Sequence, residues 1–301
     1  MVTAMVRFRW MGWQVGIGVL LATSVSAQEN WTFLDNGSIR LGVNRSEGAA
    51  VGWFSESRGS ENFLNYYDQG RYLQQSWYGD SDGSDWNGKS WVWNPVQGGG
   101  FRGERTDATR FEAEGPDRLH AVCQPHHWAT GAPIPEVRFE QWIELKGQVA
   151  EIRFQMTYSG EKSHAPRHQE LPAVFVNERL SELVVYEGEK PWTGGDLSRS
   201  VPGWPNERRR MTENWAAYLD PETGRGIGVY VPVADTLTCY RFGKSGGKGA
   251  CSYLAPVKTI AITPEFSFEY RVWLTLGSVE EIRQRFSRIR KENESQSSTK
   301  P

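Results

Sequence analysis

Strict alternation of apolar and polar side chains is the feature that most restricts how this chain can fold. Residues 266 to 276 place Phe266, Phe268, Tyr270, Val272, Leu274 and Leu276 on one side and Ser267, Glu269, Arg271, Trp273 and Thr275 on the other. A period of two is that of a half-buried strand, because successive side chains leave opposite faces of a sheet. Residues 137–145 and 149–158 repeat the pattern around Lys146-Gly147 and predict a hairpin, its second strand burying Ile152, Phe154, Met156 and Tyr158. A second hairpin is expected over 213–233, where Asp220-Pro221-Glu222-Thr223-Gly224 supplies turn residues between Trp215-Ala216-Ala217-Tyr218 and Ile227-Gly228-Val229-Tyr230. Shorter strands are expected at 38–43, 49–55, 171–176 and 182–187. So many short strands, separated by Gly, Pro and Asn, specify an all-β fold, an antiparallel sandwich or barrel.

The periodicity changes once, near the end. Ser278 caps a helix expected over 279–291, Glu281 completes a capping box, and Val279, Ile282, Phe286 and Ile289 form one apolar stripe suited to covering a sheet edge. Residues 292–301 are polar and expected to be disordered. At the other end, Arg7 and Arg9 precede an apolar run from Val15 to Val25 and the small residues Ser26 and Ala27, the layout of a cleavable export signal. That run is shorter than the roughly 20 residues needed to span a bilayer. Residues 1–27 are therefore expected to be removed, leaving one β-sandwich domain over 28–291 in a secreted or periplasmic protein. Without Arg7 and Arg9 the chain carries four more acidic than basic residues, which argues against nucleic acid or an anionic membrane as partner. Oligomeric state is not legible. Of three cysteines, Cys239 and Cys251 flank a Gly-Lys stretch and can either close a disulfide or stay as buried thiols, leaving Cys123 odd.

Residues 62–101 differ from everything around them. Asn65, Tyr66, Tyr67, Asp68, Gln69, Arg71, Tyr72, Gln74, Gln75 and Tyr78 precede an Asp/Gly/Ser loop, and Trp91, Trp93, Asn94 and Gln97 follow it. A loop of this length in a compact domain is uncommon without a function. Aromatic rings pack against the C–H faces of sugars, while amides and carboxylates bond their hydroxyls, so the mixture suits a carbohydrate cleft walled by Trp77, Trp86, Trp91 and Trp93. The alternative is a satellite core beneath a long loop. Trp142 and Trp273, by contrast, alternate with core residues and are expected to face away from that core.

The order of elements resembles a known superfamily. A strand pair of the form Ile39-Arg40-Leu41-Gly42-Val43 and Ala50-Val51-Gly52-Trp53, then Asn65 to Gln75, then paired long strands, is similar to the galactose-mutarotase-like β-sandwiches. The resemblance implies such a sandwich and a carbohydrate-directed role, since its members include sugar epimerases and domains of polysaccharide lyases and glycosidases. The Asn-His motif of the epimerases is not present, so no catalytic residue is carried over from them.

Candidate chemistry comes from the residues themselves. His168 and Glu170 stand two apart, on one face of a strand, as an acid and an imidazole capable of proton transfer; Gln169 lies between them, and an Arg167–Glu170 ion pair is the alternative. Glu213 beside Trp215 sets a carboxylate next to an aromatic ring, or pairs with one of Arg208, Arg209 and Arg210. Asp68 and Arg71 offer a hydroxyl-binding carboxylate and a charge able to hold a uronate, or they pair with each other. Candidate catalytic residues are thus Glu170, His168, Glu213 and Asp68; candidate substrate contacts are Arg71, Gln75, Tyr78, Trp93, Asn94, Gln97, Gln169 and Trp215. No metal or other cofactor is expected. His126 and His127 are adjacent and point to opposite faces of a strand, no zinc spacing occurs, and Asp80, Asp82 and Asp85, although oxygen-rich enough for calcium, read more simply as an acidic turn. The GxGxxG of Gly98, Gly100 and Gly103 lacks its strand and helix. Three roles remain: a glycoside hydrolase using two carboxylates, a polysaccharide lyase using a base such as His168 or Tyr78 with Arg71 and Gln75 or Asn94 stabilising charge, and a non-catalytic carbohydrate-binding protein.

Overall fold

The computed structural model describes residues 30–298, so the expected export signal lies outside the described residues. Two antiparallel sheets face each other. The first has ten strands, ordered Trp31–Asp35, Ile39–Asn44, Ala50–Glu56, Leu73–Ser76, His164–Asn177, Cys251–Ile262, Thr236–Phe242 and Glu207–Arg210, with the short Pro95–Val96 and His126–His127 attached beside Leu73–Ser76. The second has nine, ordered Ser198–Ser200, Glu182–Val185, Trp215–Leu219, Arg225–Tyr230, Phe266–Ser278, Val149–Tyr158, Val137–Lys146, Arg118–Cys123 and Ala108–Glu114. The core fills the space between them, drawing Leu41, Phe54 and Val174 from one sheet and Phe139, Phe154 and Leu274 from the other. This is the expected antiparallel sandwich.

Alternation predicted the second sheet well. Val149–Tyr158 buries every second residue, with Ile152, Phe154 and Met156 fully enclosed, and it pairs with both Val137–Lys146 and Phe266–Ser278. Trp215–Leu219 pairs with Arg225–Tyr230, its turn closed by a bond from the Gly224 amide to the Asp220 carbonyl. Trp142 and Trp273 do leave the core. Trp142 stacks on His120 beneath Arg153, while Trp273 meets Tyr230.

Three expectations need correction, and one open alternative is decided. The helix Val279–Ser298 has the expected capping box, Ser278 N donating to Glu281 and Glu281 N to Ser278 Oγ, but it covers a sheet face, not an edge. Trp215, Tyr230 and Trp273 project outward there, and Val279, Ile282 and Phe286 bury them. The helix also continues through 292–298, where disorder was expected, supported by the i,i+4 ion pair Arg290–Glu294. Residues 62–101 form no single long loop: Leu73–Ser76 and Pro95–Val96 join the first sheet, and Ser81–Trp86 with Lys89–Val92 make a separate hairpin. Of the two states left open for them, Cys239 and Cys251 take that of free buried thiols. They lie on neighbouring strands but on opposite faces, Cys239 in the core and Cys251 in a cluster on the outer face.

Candidate functional site

That outer face of the first sheet carries the site, and alternation decides which residues reach it. Along residues 73 to 78, Gln74, Ser76 and Tyr78 point outward, whereas Gln75 and Trp77 are fully buried in the core. On His164–Asn177, Glu170 faces outward opposite Ser76, and Gln169 faces inward. Simple alternation would then send Ala173 and Phe175 to the core. A bulge prevents this: four steps from Glu170 to Val174 match only three from Val257 to Leu254 on the neighbouring strand. The extra residue restores Ala173 and Phe175 to the outer face, beside Tyr253.

The result is a groove of about 210 Å³ with an aromatic floor and aromatic walls. Its floor is Phe175, Tyr253 and Tyr240, with Tyr240 and Tyr253 stacked at 4.4 Å. One wall is Trp86 and Trp91 of the separate hairpin, braced by Trp128. Gly70 lies against Trp128, and a Cβ there would come within 2.4 Å of the indole, so glycine is required for the approach. The opposite wall is Trp204, perpendicular to Tyr240 at 4.9 Å. Larger hollows exist, including one of about 480 Å³ on the second sheet, but that one is lined mostly by ion-paired Arg, Lys and Glu side chains. A pocket with aromatic walls and few polar groups is the better ligand site.

Glu170 is the one carboxyl among the described residues lining this groove. The Tyr253 hydroxyl donates to Glu170 Oε1, and Tyr78 and Ser76 lie close enough to share the same carboxyl. Burial pushes the Glu170 pKa up, and these three hydroxyls partly oppose it. Burial and the adjacent Glu170 charge together hold Tyr78 and Tyr253 well above the usual phenol range. The carboxyl and both phenols are therefore biased toward their protonated forms. Asn94 donates to the Trp77 carbonyl at 2.7 Å and accepts from Trp91 Nε1 at 3.2 Å, which fixes that wall.

Of the residues proposed from sequence, the groove gathers Glu170, Arg71, Tyr78, Asn94, Trp86 and Trp91. Asp68 stays outside the lining, paired with Arg71 at 3.6 Å. Gln75, Gln97 and Gln169 are not substrate contacts but buried links. Gln97 bonds Gln141 across the sandwich at 3.0 Å, Gln75 donates to the Glu140 and Gln155 carbonyls, and Gln169 clamps the Tyr78 backbone through bonds of 2.7 and 2.8 Å. Trp93 is buried against His164 and Tyr158, and Trp77 is buried in the core. Glu213 and Trp215 lie on the other sheet under the helix, where Glu213 accepts two bonds from Arg283, one from Trp215 Nε1 and one from the Trp192 amide. His168 lines a separate hollow and contacts Thr259 at 3.2 Å. Asp80, Asp82 and Asp85 do not converge for calcium: Asp80 meets Arg167, Asp82 meets His127 and Asp85 accepts from the Gly88 amide.

Tyr253, Tyr240, Phe175, Trp128 and Trp204 were missed. The available signal was the second face of residues 251–257, where Cys251, Tyr253, Ala255 and Val257 are apolar opposite the core residue Leu254. A strand apolar on both faces needs cover on both, or a ligand on one.

Compared with known proteins, the sequence matches no family model and no curated protein. Its structure is similar to several solved ones. A galactose mutarotase-like protein from Lactobacillus casei superposes with TM-score 0.56 at 12% identity, over 82% of this chain and all of that one. A candidate aldose 1-epimerase from Escherichia coli K12 gives 0.55 at 14% identity, over 83% and 99%. A galactose mutarotase related enzyme from Lactobacillus acidophilus gives 0.50 at 11% identity, over 82% and 97%. At such identities the likeness shows the fold, and that fold is the mutarotase-like β-sandwich.

Proposed function

We propose that this is an exported carbohydrate-active protein, that the aromatic groove binds a saccharide, and that Glu170 is its acid–base residue. The observation that carries this reading is the cluster of Glu170 with Tyr78 and Tyr253 on a floor and between walls made of aromatic rings. Rings present faces for sugar C–H groups, and a carboxyl raised by burial is poised to exchange a proton with a bound hydroxyl or C–H. The sugar-directed names of the similar folds point the same way.

One lining carboxyl does not suit hydrolysis, which uses a pair flanking the glycosidic bond. It does suit β-elimination. Ionised Glu170 takes the proton from a ring carbon bearing an acyl group, the electron pair forms the C=C bond, and the C–O bond to the departing sugar breaks. That oxygen takes the phenol proton of Tyr253 or Tyr78, and Glu170 returns its proton to the phenol along the hydrogen bond already present. The favoured reading is therefore glycosidic cleavage by elimination, and a pure binding protein is the competing one.

A panel of plant and algal polysaccharides separates them. Wild type is expected to generate near-ultraviolet absorbance from unsaturated ends, and Glu170→Gln to bind the same polysaccharide without turnover. Reducing ends without absorbance would refute elimination, and binding without turnover by wild type would leave a binding protein. Export is checked on the secreted product, whose first residue is expected to be Gln28.

A further inference from the structure

Arg71 is the weakly paired cation of the groove, with one guanidinium nitrogen left without a partner. Its side chain is only 17% exposed, the Cys251 thiol lies within bonding reach, the Gly249 carbonyl and Asp68 stand off at 3.5 and 3.6 Å, and its Nε has no hydrogen-bond partner. Charge-assisted bonds to oxygen close to about 2.9 Å or less, so neither oxygen contact is one. A guanidinium offers five donors in a rigid fork that matches a carboxylate two bonds at a time. This fork is already held in place, 5.1 Å from the centre of the Phe175 ring and 6.0 Å from that of Phe242.

The charge around it is complementary to an anion. The other ionisable groups of the lining are Glu170 and three tyrosines, all biased toward neutral forms by burial. Lys248, over the Tyr67 ring, adds positive charge beside Gly249. Asp68 opposes it, but its side chain is 37% exposed and screened by water. At the same end Trp204 stands 62% exposed, meeting Tyr240 at a right angle and Phe242 at 5.4 Å. With Phe242, itself 43% exposed, it forms an apolar patch beside the groove of the kind that marks a binding surface. Its stance makes a corner of two aromatic surfaces, shaped for a sugar ring next to one held at Arg71.

We infer that the groove takes a chain of carboxylate-bearing sugars, a uronate oligosaccharide, with one carboxylate in the Arg71 fork and the neighbouring ring against Trp204. The inference rests on reading the groove as a saccharide site. It also supplies the acyl group that makes a sugar C–H acidic enough for elimination.

The test is calorimetric titration of the full chain with oligogalacturonate, oligoalginate and oligoglucuronate, each beside its carboxyl-reduced twin of equal length. At least one acidic chain is expected to bind about tenfold or more tightly than its twin, as one charge-assisted pair allows, with the preference shrinking as salt rises. Arg71→Gln is expected to abolish that preference, the acidic chain falling to the affinity of its neutral twin, and Trp204→Ala to weaken both twins alike. Neutral twins bound as tightly as acidic chains by wild type would overturn the uronate assignment and leave the saccharide site standing. No binding of any chain by folded wild type would overturn both. The twin comparison needs no variant, so it decides the question even where Arg71→Gln does not fold.

Discussion

Glu47 shows what one buried side chain does to the stability of this protein. Its carboxyl is 3% exposed, Oε1 lies 3.3 Å from Arg105 Nε and accepts from Gln69 at 3.3 Å, and Oε2 has no partner. Burial, outweighing Arg105, lifts its pKa from the usual 4.5 to about 7. The folded state therefore holds this proton through a pH range in which the unfolded chain has released it. The sign follows: the stabilisation is fully present below pH 4.5 and is lost as pH rises to about 7. A displacement of that size corresponds to about 3 kcal/mol. Urea denaturation at pH 5 and pH 8 is expected to show wild type losing about that much more stability than Glu47→Gln between the two; parallel losses would refute the assignment. Glu170 has the same sign, since burial raises it too, but it faces a groove where a ligand can use the proton.

At the scale of elements, the C-terminal helix and the bulged strand divide structure from chemistry. Glu213 looked catalytic in sequence because a carboxylate stood beside Trp215. Its position between the second sheet and the helix, fully buried and bonded twice by Arg283, makes it an anchor for the helix. Glu213→Gln strands the partly buried guanidinium without its counter-charge, and a loss of roughly 3 kcal/mol of unfolding free energy is expected from urea denaturation. Saccharide binding by the folded fraction is expected to be unchanged, because the groove lies on the other sheet. Unaltered stability, or binding lost with the fold intact, would refute this division. The bulge in His164–Asn177 works the other way: by shifting register after Glu170 it sets Phe175 beside Tyr253, at 4.7 Å, and so completes the floor.

For the whole molecule, one core cluster runs from Leu34 to Leu276 and takes residues from both sheets. The sandwich is accordingly expected to unfold in one step, with tryptophan fluorescence and far-ultraviolet circular dichroism giving the same urea midpoint. Two resolved transitions would contradict the single domain expected over 28–291. The sequence by itself determined the all-β class, the central hairpins, and the start and stripe of the helix, and it proposed Glu170, Arg71, Tyr78, Asn94, Trp86 and Trp91, which line the groove. These follow from rules acting over a few positions: a period of two, a period of 3.6, turn chemistry, and polar side chains among aromatics. Only the tertiary structure decided that Gln75, Gln97 and Gln169 bond backbone and amides inside the sandwich, that Glu213 sits on the other sheet and His168 lines a separate hollow, and that Tyr253, Trp128 and Trp204 line the groove with Glu170. The physical reason is register. Which face a residue takes depends on pairing with strands as much as a hundred residues distant, and one extra residue in one strand reverses the answer for all that follow it.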